Sequence, residues 1–459
     1  MKIYNTKSRT LEEFKPKYEN KANIYVCGPT VYNFIHVGNA RPLIVFDILR
    51  RYLDYAGYDV TFVQNYTDID DKMIIRANKE GKTVKELAET FIGEFEKDAK
   101  GLNVLPADVK PKATEHIGEI IKIIKKLEEK GYAYKSDDGV YFNTQVYEGY
   151  GKLSGRNLED MQAGARIKVN ESKKNPMDFA LWKLEKPNEP SWGSPWGKGR
   201  PGWHIECSAM SMKYLGDTVD IHGGGEDLVF PHHENEVAQS EASTGKEFVK
   251  YWMHNAYINI NNQKMSKSLG NFFTVRDIAE KFDLEILRFF MLSVHYRSPV
   301  NFSFELMQQA EAGLKRLYNA RDSWADMAKE GNADKETIDN IEALYTGFKN
   351  AMDSDLNTAE AIGVIFDFVK KTNTSLADNQ NAENAFAAHK ALMKVADVLG
   401  VLYRETEVNV PDEVAKLVED RKLARKNKEW AKSDELRDKI LELGFLVEDS
   451  REGQKVKKA

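Results

Sequence analysis

A strand, a helix and a second strand follow one another within the first 65 residues, and this pattern constrains the fold more than any other. Residues 23–27 and 59–65 are strand-like apolar runs. Between them apolar residues recur at helical spacing, with Pro42 expected in the helix's first turn and Gly57 at its end. This order predicts a parallel sheet, whose ligands bind at the carboxyl ends of the strands. The loop after Cys27 is at such an end.

The α/β pattern continues along the chain with one interruption. Residues 83–100 and 117–131 are amphipathic and predict helices. Residues 135–202 mix tryptophan, glycine, proline and lysine without a sustained period, so we interpret them as an insertion between two halves of one domain. The pattern then resumes with a strand at 218–222, a glycine loop, a helix at 231–243 and a last strand at 252–260.

The remainder of the chain changes from α/β to mainly helical. Residues 274–403 carry helical spacing and predict a bundle, Pro411 marks a boundary, and residues 444–458 are compatible with a small hairpin. We therefore predict an α/β protein with the following domains: 1–260 with the insertion at about 135–202, a connecting region at 261–303, a helical bundle at 304–403, and a small C-terminal domain at 411–459.

Composition excludes several classes of protein. The balance of 42% hydrophobic and 30% charged residues is typical of a folded chain rather than a disordered one. No apolar run approaches the roughly 20 residues that span a bilayer, and the start of the chain lacks the apolar core of a signal peptide. We expect a cytoplasmic protein without membrane contact. The net charge of -6 gives no general attraction for nucleic acid, so an RNA partner would need a local basic surface.

Four residues form a candidate metal site. His232 and Glu236 are four apart at the start of a predicted helix and therefore share a face. With the two cysteines, Cys27 and Cys207, they supply two thiolates, an imidazole and a carboxylate, a set that Zn²⁺ accepts. The alternative is that the cysteines fill the core and that His232 and Glu236 form a solvated pair. Because Cys27 follows a strand at the ligand-binding edge, a metal here would face substrate.

Two further segments suggest phosphate binding. His36 and the residues up to Asn39 precede a predicted helix, whose N-terminus would attract a triphosphate, and Gly38 would allow the nucleotide close to the backbone. Residues 264–271 form a polar loop with two lysines, which could stabilise charge on a transferring phosphate. A packed histidine and a merely solvated loop are the alternatives for these two segments.

The order of residues within each of these two segments resembles a signature of a known enzyme class. Residues 264–268 read KMSKS and residues 36–39 read HVGN, similar to the KMSKS and HIGH signatures of class I aminoacyl-tRNA synthetases. Within that class, nearly the whole chain resembles the cysteinyl-tRNA synthetases, through residues 25–32, 66–72, 202–210 and 220–236. The resemblance implies a Rossmann-like parallel-sheet catalytic domain with an insertion, followed by an α-helical bundle and a small C-terminal domain.

The resemblance also implies roles for individual residues. It assigns zinc binding to Cys27, Cys207, His232 and Glu236, and cysteine binding to Gly28, Thr67 and Trp203. It assigns nucleotide binding or catalysis to His36, Gly38, Asn39, Lys264, Lys267, His222 and Asp227. Asn39 replaces the second histidine of the signature, and it can still donate a hydrogen bond but cannot carry a positive charge.

The reaction implied by the resemblance joins L-cysteine to its tRNA. Cysteine reacts with ATP and Mg²⁺ to give cysteinyl-adenylate, whose acyl group passes to the tRNA, and one zinc ion per chain selects the substrate thiol. A monomer is expected. Five cations within eight residues near the C-terminus are candidates for tRNA contact, although a solvated helix face is the alternative: Arg421, Lys422, Arg425, Lys426 and Lys428.

Two other functions compete with this one. A cysteine ligase that acts on a sugar amine would share the catalytic domain, but the additional helices and basic segment disfavour it. A non-enzymatic RNA-binding protein with structural zinc is disfavoured by the two phosphate-binding segments. Assays with tRNA, with an amino sugar and for cysteine-dependent ATP–pyrophosphate exchange would separate the three.

Overall fold

The central sheet has four parallel strands in the order β10-β9-β3-β4. The computed structural model describes residues 1–156, 172–261, 263–264, 272–405, 411–450 and 453–458, and it divides into two units, Met1–Leu402 and Tyr403–Ala459. The strands of the first unit are β1 (Lys2–Asn5), β2 (Thr10–Glu13), β3 (Lys21–Val26), β4 (Asp59–Gln64), β5 (Ala133–Ser136), β6 (Gly139–Phe142), β7 (Phe179–Leu184), β8 (Gly199–Pro201), β9 (Val219–Gly225), β10 (Val249–Asn255), β11 (Ile258–Ile260), β12 (Gln263–Lys264) and β13 (Val300–Phe302).

Helices cover the sheet and form the second half of this unit. They are α1 (Val37–Tyr55), α2 (Asp71–Glu80), α3 (Val84–Gly101), α4 (Ile117–Glu129), α5 (Trp203–Leu215), α6 (Glu234–Thr244), α7 (Val275–Ala279), α8 (Leu284–Leu292), α9 (Phe304–Met327), α10 (Lys335–Asp353), α11 (Thr358–Asn379) and α12 (Ala382–Leu399). Among the described residues, every helix is too short or too polar to cross a bilayer.

Helix α1 crosses from β3 to β4 and buries an apolar face, including Ile44 and Leu49, in the main core. The predicted strand, helix and strand are therefore confirmed. The helix begins earlier than predicted, because the Asn39 Oδ1 accepts the backbone N–H of His36 at 3.2 Å and stabilises the first turn. As a result Pro42 lies in the second turn rather than the first.

The predicted strand at 252–260 is two strands in two sheets. β10 belongs to the central sheet, whereas β11 pairs with β12 and β13. Between them the buried Arg41 donates to the carbonyl oxygens of Ala256 at 2.6 Å and Tyr257 at 2.9 Å. Because these carbonyls are engaged by a guanidinium, the chain leaves the central ladder at this point. Strand β13 also interrupts residues 274–403, which the sequence pattern had indicated to be almost purely helical.

Within the predicted insertion, β5, β6, β7 and β8 form an antiparallel sheet. It shares a second core with α4, in which Ile120, Ile124 and Trp182 are fully buried. Arg200 of β8 is ion-paired to Asp71 at the start of α2, and Lys183 of β7 lies 2.8 Å from the same carboxylate. These contacts connect the insertion sheet to the segment after β4.

The second unit contains α13 (Asp412–Lys426), α14 (Trp430–Glu442) and the antiparallel pair β14 (Phe445–Ser450) and β15 (Gly453–Lys458). Val414, Ile440 and Phe445 are buried in its small core. The predicted C-terminal hairpin is confirmed.

Candidate active site

The four candidate metal ligands converge, although they are distant in sequence. Cys27 follows β3, Cys207 lies in α5, His232 is in the turn before α6, and Glu236 is in the first turn of α6. The Cys27 Sγ lies 3.6 Å from the Cys207 Sγ, 3.5 Å from the His232 Nε2 and 3.4 Å from the Glu236 Oε1. The His232 Nε2 and Glu236 Oε1 are 3.0 Å apart. All four ligand atoms lie within 4.8 Å of one another, as a shared cation requires.

Burial makes this cluster unfavourable without a cation. Glu236 is fully buried, and its Oε2 has no hydrogen-bond partner among the described residues. Desolvation raises the pKa of Glu236 well above its usual range and likewise raises the pKa of the Cys27 thiol. The hydrogen bond from the Cys27 thiol lowers the pKa of Cys207 to about 7. A cation at the centre would stabilise the ionised donors and offset their desolvation.

A second set of donors overlaps the first. His222 and His233 can join Cys27 and Glu236 in a cluster with ligand atoms also within 4.8 Å. The His222 Nε2 lies 3.4 Å from the Cys27 Sγ. The resemblance assigns His222 to the nucleotide, which stays a prediction, and in the structure its ring also lies beside the candidate metal ligands. The set with Cys207 has two sulfur donors and is the softer one, which suits zinc better.

The residues assigned to cysteine surround this cluster. The backbone N–H of Gly28 donates to the Asn65 Oδ1 at 2.9 Å. Thr67 is buried beside the same asparagine, and the Asn65 Nδ2 donates to the Thr67 hydroxyl at 3.4 Å. The Trp203 ring is 39% exposed and stacks on the His232 ring with a centroid distance of 4.3 Å. A substrate could therefore enter beside Trp203.

Asn65 is a site residue that sequence reasoning missed. Its Oδ1 accepts from Gly28 and lies 3.7 Å from the Cys207 Sγ, so it connects the loop after β3 to α5. Its position at the end of β4, next to the end of β3, was a signal that could have identified it, because adjacent parallel strands end at the same edge. His233 is a second possible donor that the i,i+4 spacing does not identify, because it lies three residues before Glu236.

The residues predicted to bind nucleotide lie in several places. His36, Gly38 and Asn39 are together at the N-terminus of α1. Asp227 is exposed in the 3₁₀ turn Glu226–Leu228 after β9. The backbone of Lys264 pairs with that of Asn259 in the β11–β12 hairpin. Lys267 lies outside the described residues.

The five candidate RNA-binding cations differ in exposure. The Arg421 side chain is 3% exposed and donates through both terminal nitrogens to Asp449 at 3.1 Å, so it stabilises the interior of the second unit. Arg425 is half-buried, and its terminal nitrogen lies 3.1 Å from the Asp449 Oδ2, an oxygen that Arg421 also contacts. The three lysines are exposed on or just after α13: Lys422, Lys426 and Lys428.

Comparison with known proteins agrees with this geometry. The family described as tRNA synthetases class I (C) catalytic domain matches residues 13–312, the DALR domain matches 347–403, and the cysteinyl-tRNA ligase anticodon binding domain matches 408–456. The chain is 53% identical over 464 residues to the cysteine–tRNA ligase of Clostridioides difficile strain 630, with 100% of both chains covered. The chain belongs to the cysteinyl-tRNA ligase family.

Another cysteine–tRNA ligase, from Caldicellulosiruptor saccharolyticus, is 54% identical over 464 residues, again with 100% of both chains covered. Solved structures of other synthetases share the fold at low identity. Methionyl-tRNA synthetase of Mycobacterium tuberculosis bound to methionyl-adenylate has a TM-score of 0.61 at 16% identity, covering 83% of this chain and 90% of that one. The agnB2 LeuRS of Agrobacterium radiobacter K84, in its ternary complex, has a TM-score of 0.61 at 12% identity, covering 84% and 85%. This family member is therefore a class I aminoacyl-tRNA synthetase with a Rossmann-like catalytic domain followed by helical domains.

Proposed function

We propose that this chain joins L-cysteine to its tRNA in two steps and that a zinc ion selects the substrate by its thiol. In the first step a carboxylate oxygen of cysteine attacks the α-phosphorus of ATP, and the bond to pyrophosphate breaks. In the second step a hydroxyl oxygen of the terminal ribose attacks the acyl carbon, and AMP and the hydroxyl proton leave. The observation that carries the proposal is the convergence of two thiols, an imidazole and a carboxylate after the carboxyl end of β3.

The three separations from the Cys27 Sγ fit zinc, whereas the His232 Nε2 and Glu236 Oε1, 3.0 Å apart, would have to separate slightly around the ion. A tetrahedron with bonds of about 2.0–2.3 Å has edges of about 3.3–3.8 Å, and the three separations from the Cys27 Sγ are 3.4, 3.5 and 3.6 Å. The His232 Nδ1 lies 2.9 Å from the His204 Nδ1, so the far side of the imidazole is held by a hydrogen bond, as is usual for a ligating histidine. When bound, zinc would supply a soft acceptor for the substrate thiolate, which serine and alanine lack.

The other residues would position the reactants. Gly28 and Thr67 would shape the floor of the cysteine pocket, and the partly exposed Trp203 would lie at its open side. The N-terminus of α1 would bind the triphosphate, which enters with Mg²⁺, because the N-terminal end of a helix carries a partial positive charge. Asn39 has a double role here, since its side chain also accepts from the His36 backbone. The cationic contribution to phosphate transfer is assigned to Lys264 and Lys267.

Recognition of tRNA is assigned to the helical domains and the second unit. The match of residues 408–456 to an anticodon binding domain supports this assignment. The charged surface would be Lys422, Arg425, Lys426 and Lys428, without the buried Arg421. The reduced thiols required by the metal site and the tRNA substrate are consistent with a cytoplasmic enzyme, and we expect it to act as a monomer.

The proposal is tested with the purified enzyme. Cysteine-dependent ATP–pyrophosphate exchange and charging of tRNA should both occur, and an amino sugar should not replace tRNA as acceptor. Cys207→Ser should lose zinc and the preference for cysteine over serine. If Cys207→Ser bound cysteine as tightly as the parent and kept that preference, this account of selectivity would be wrong.

A further inference from the structure

Tyr25 carries a buried hydroxyl without a hydrogen-bond partner. Its side chain is 0% exposed in the main core, and its Oη has no partner among the described residues. Tyr52 is equally buried in the same core, but its hydroxyl donates to the Asp353 Oδ1 at 2.7 Å. A buried donor without an acceptor destabilises a fold, so each such group requires an explanation. For Tyr25 the explanation lies in what surrounds the hydroxyl.

The geometry of the central sheet places Tyr25 beside the candidate metal ligands. The backbone N–H of Cys27 donates to the Gly223 carbonyl oxygen at 3.3 Å, so the pairing of β3 with β9 continues through Cys27. Tyr25 is two residues earlier, and its side chain therefore projects from the same face of the sheet. On β9 the register partner of Tyr25 is His222, and their ring centroids are 5.0 Å apart. The His222 Nε2 in turn lies 3.4 Å from the Cys27 Sγ.

The ionisable neighbours of the Tyr25 hydroxyl are themselves candidate ligands. Burial raises the pKa of this phenol well above its usual range, and the charges of Cys207, Cys27 and Glu236 raise it further, in that order. The hydroxyl therefore faces the same centre as three of the four donors. A phenol that keeps its proton can donate one hydrogen bond.

Cys207 has the complementary need for a donor. It is 1% exposed, and its Sγ lies 3.6 Å from the Cys27 Sγ and 3.7 Å from the Asn65 Oδ1. The Asn65 Oδ1 can only accept, and it already accepts from the backbone of Gly28. When a cation holds both sulfurs as thiolates, Cys27 has no proton left to donate. Residues that hydrogen-bond to metal ligands usually fix them in position. The buried hydroxyl and the buried thiolate would each satisfy the other.

We propose that Tyr25 is a positioning residue of the zinc site, whose hydroxyl donates to the Cys207 thiolate. The inference rests on the proposed function, because it requires a zinc ion on the four donors. A hydrogen bond withdraws electron density from the sulfur, which makes the ion a better acceptor for the thiolate of the substrate. The Glu236 Oε2, which is also without a partner among the described residues, is the competing acceptor.

The test compares Tyr25→Phe with a matched control, Tyr52→Phe. Both variants lose one phenol oxygen from the same core, but the Tyr52 hydroxyl contacts Asp353 rather than a candidate ligand. Zinc affinity of the full-length proteins is measured by competition with a chelator. Loss of a residue that supports a metal ligand typically lowers affinity by about 10–100-fold. We expect a fall of about tenfold or more in Tyr25→Phe and an unchanged affinity in Tyr52→Phe.

The spectrum of the Co²⁺-substituted protein reports on the sulfur directly. A hydrogen bond lowers the energy of the sulfur electrons, so its loss should move the sulfur-to-cobalt charge-transfer band to longer wavelength in Tyr25→Phe. The band should not move in Tyr52→Phe. A lower zinc affinity with an unmoved band would place the hydroxyl on Glu236 and overturn the assignment to Cys207.

Thermal unfolding with and without metal separates a positioning role from a purely structural one. In the metal-free protein the Tyr25 hydroxyl has no acceptor, so Tyr25→Phe should unfold at a higher temperature than the metal-free parent. Zinc should then raise the unfolding temperature of this variant by less than it raises that of the parent. Tyr52→Phe loses a hydrogen bond that is independent of the metal, and it should be destabilised equally in both forms.

The remaining outcomes distinguish this inference from the proposed function. A Tyr25→Phe variant with the zinc affinity and cobalt spectrum of the parent would refute the inference alone. A metal-free Tyr25→Phe that is less stable than the metal-free parent would also refute it, because the hydroxyl would then have a partner without metal. A parent enzyme that bound no zinc would refute the proposed function, and the role of Tyr25 with it.

Discussion

Gly28→Ala tests how closely the loop after β3 must approach the end of β4. A Cβ atom at Gly28 would lie 1.6 Å from the backbone oxygen of Asn65 and 2.8 Å from its carbonyl carbon. Because the obstacle is backbone rather than a flexible side chain, the two segments must separate. Gly28 directly follows Cys27, so the separation would move the first sulfur donor away from the other ligands.

The size of the effect follows from these distances. Real Cβ contacts are essentially never closer than 3.0 Å, so the segments would have to open by about 1.4 Å. A misplacement of about 1 Å in a reacting geometry costs about 100-fold in rate, which equals about 2.7 kcal/mol of transition-state stabilisation. We expect kcat/KM for cysteine to fall by about 100-fold, with weaker retention of zinc.

The assay is cysteine-dependent ATP–pyrophosphate exchange, with zinc content measured on the same samples. Gly93→Ala is the matched control, because a Cβ there meets nothing within 4 Å and alanine favours its helix. The control should keep the parent's kinetics. If Gly28→Ala were folded and kept the parent's kcat/KM and zinc content, the close approach would have no catalytic importance and the reasoning would fail.

Three further predictions concern ion pairing, metal and RNA. Burial alone would raise the pKa of Asp71, but hydrogen bonds and charges from Lys183 and Arg200 lower it to about 2. Because the folded pKa lies below the unfolded value of about 3.9, its stabilisation is present above about pH 4 and is lost as pH falls toward 2. Asp71→Asn should therefore destabilise the protein at pH 6 and by about half as much at pH 3. Metal removal should lower the unfolding temperature and expose the two cysteines to thiol reagents. The double variant Lys422→Glu, Lys426→Glu should weaken tRNA charging and its salt dependence but spare exchange.

Each of these has a contrary outcome. An equal destabilisation by Asp71→Asn at both pH values would show that the carboxylate charge does not contribute. Thiols that react equally before and after chelation would argue against a metal on the cysteines. For the RNA surface, Lys85→Glu on α3 is a control, because its side chain is 85% exposed on a different helix. Equal loss of charging and exchange in the double variant would argue against an RNA role.

Much of the fold could be predicted from local sequence patterns. Where the structure differs from the prediction, the difference has a particular physical cause. The start of α1 depends on Asn39 accepting from the His36 backbone, which a spacing argument based on Pro42 does not include. The break between β10 and β11 depends on Arg41, a residue more than 200 positions away in sequence from the carbonyls it binds. Such long-range hydrogen bonds leave no periodic trace in the sequence.

The candidate site was predictable where chemistry and spacing agreed. The two cysteines and the i,i+4 pair of His232 and Glu236 were sufficient to predict the four donors. In the structure their ligand atoms lie within 4.8 Å of one another. The residues that support the donors or pair with the candidate RNA-binding cations could not be predicted in this way. Asn65 connects Gly28 to Cys207 only through the parallel pairing of β3 and β4, and the burial of Arg421 results from its partner Asp449, 28 positions later.

Metal content and amino-acid selectivity, measured together on one preparation, test the central claim most directly. Zinc per chain and exchange with cysteine and serine would be determined on the purified enzyme, after metal removal and after zinc is restored. The account predicts one zinc per chain, a preference for cysteine of about 10⁴-fold or more, and its loss and recovery with the metal. A metal-free enzyme that activated cysteine at the full rate and still rejected serine would contradict it.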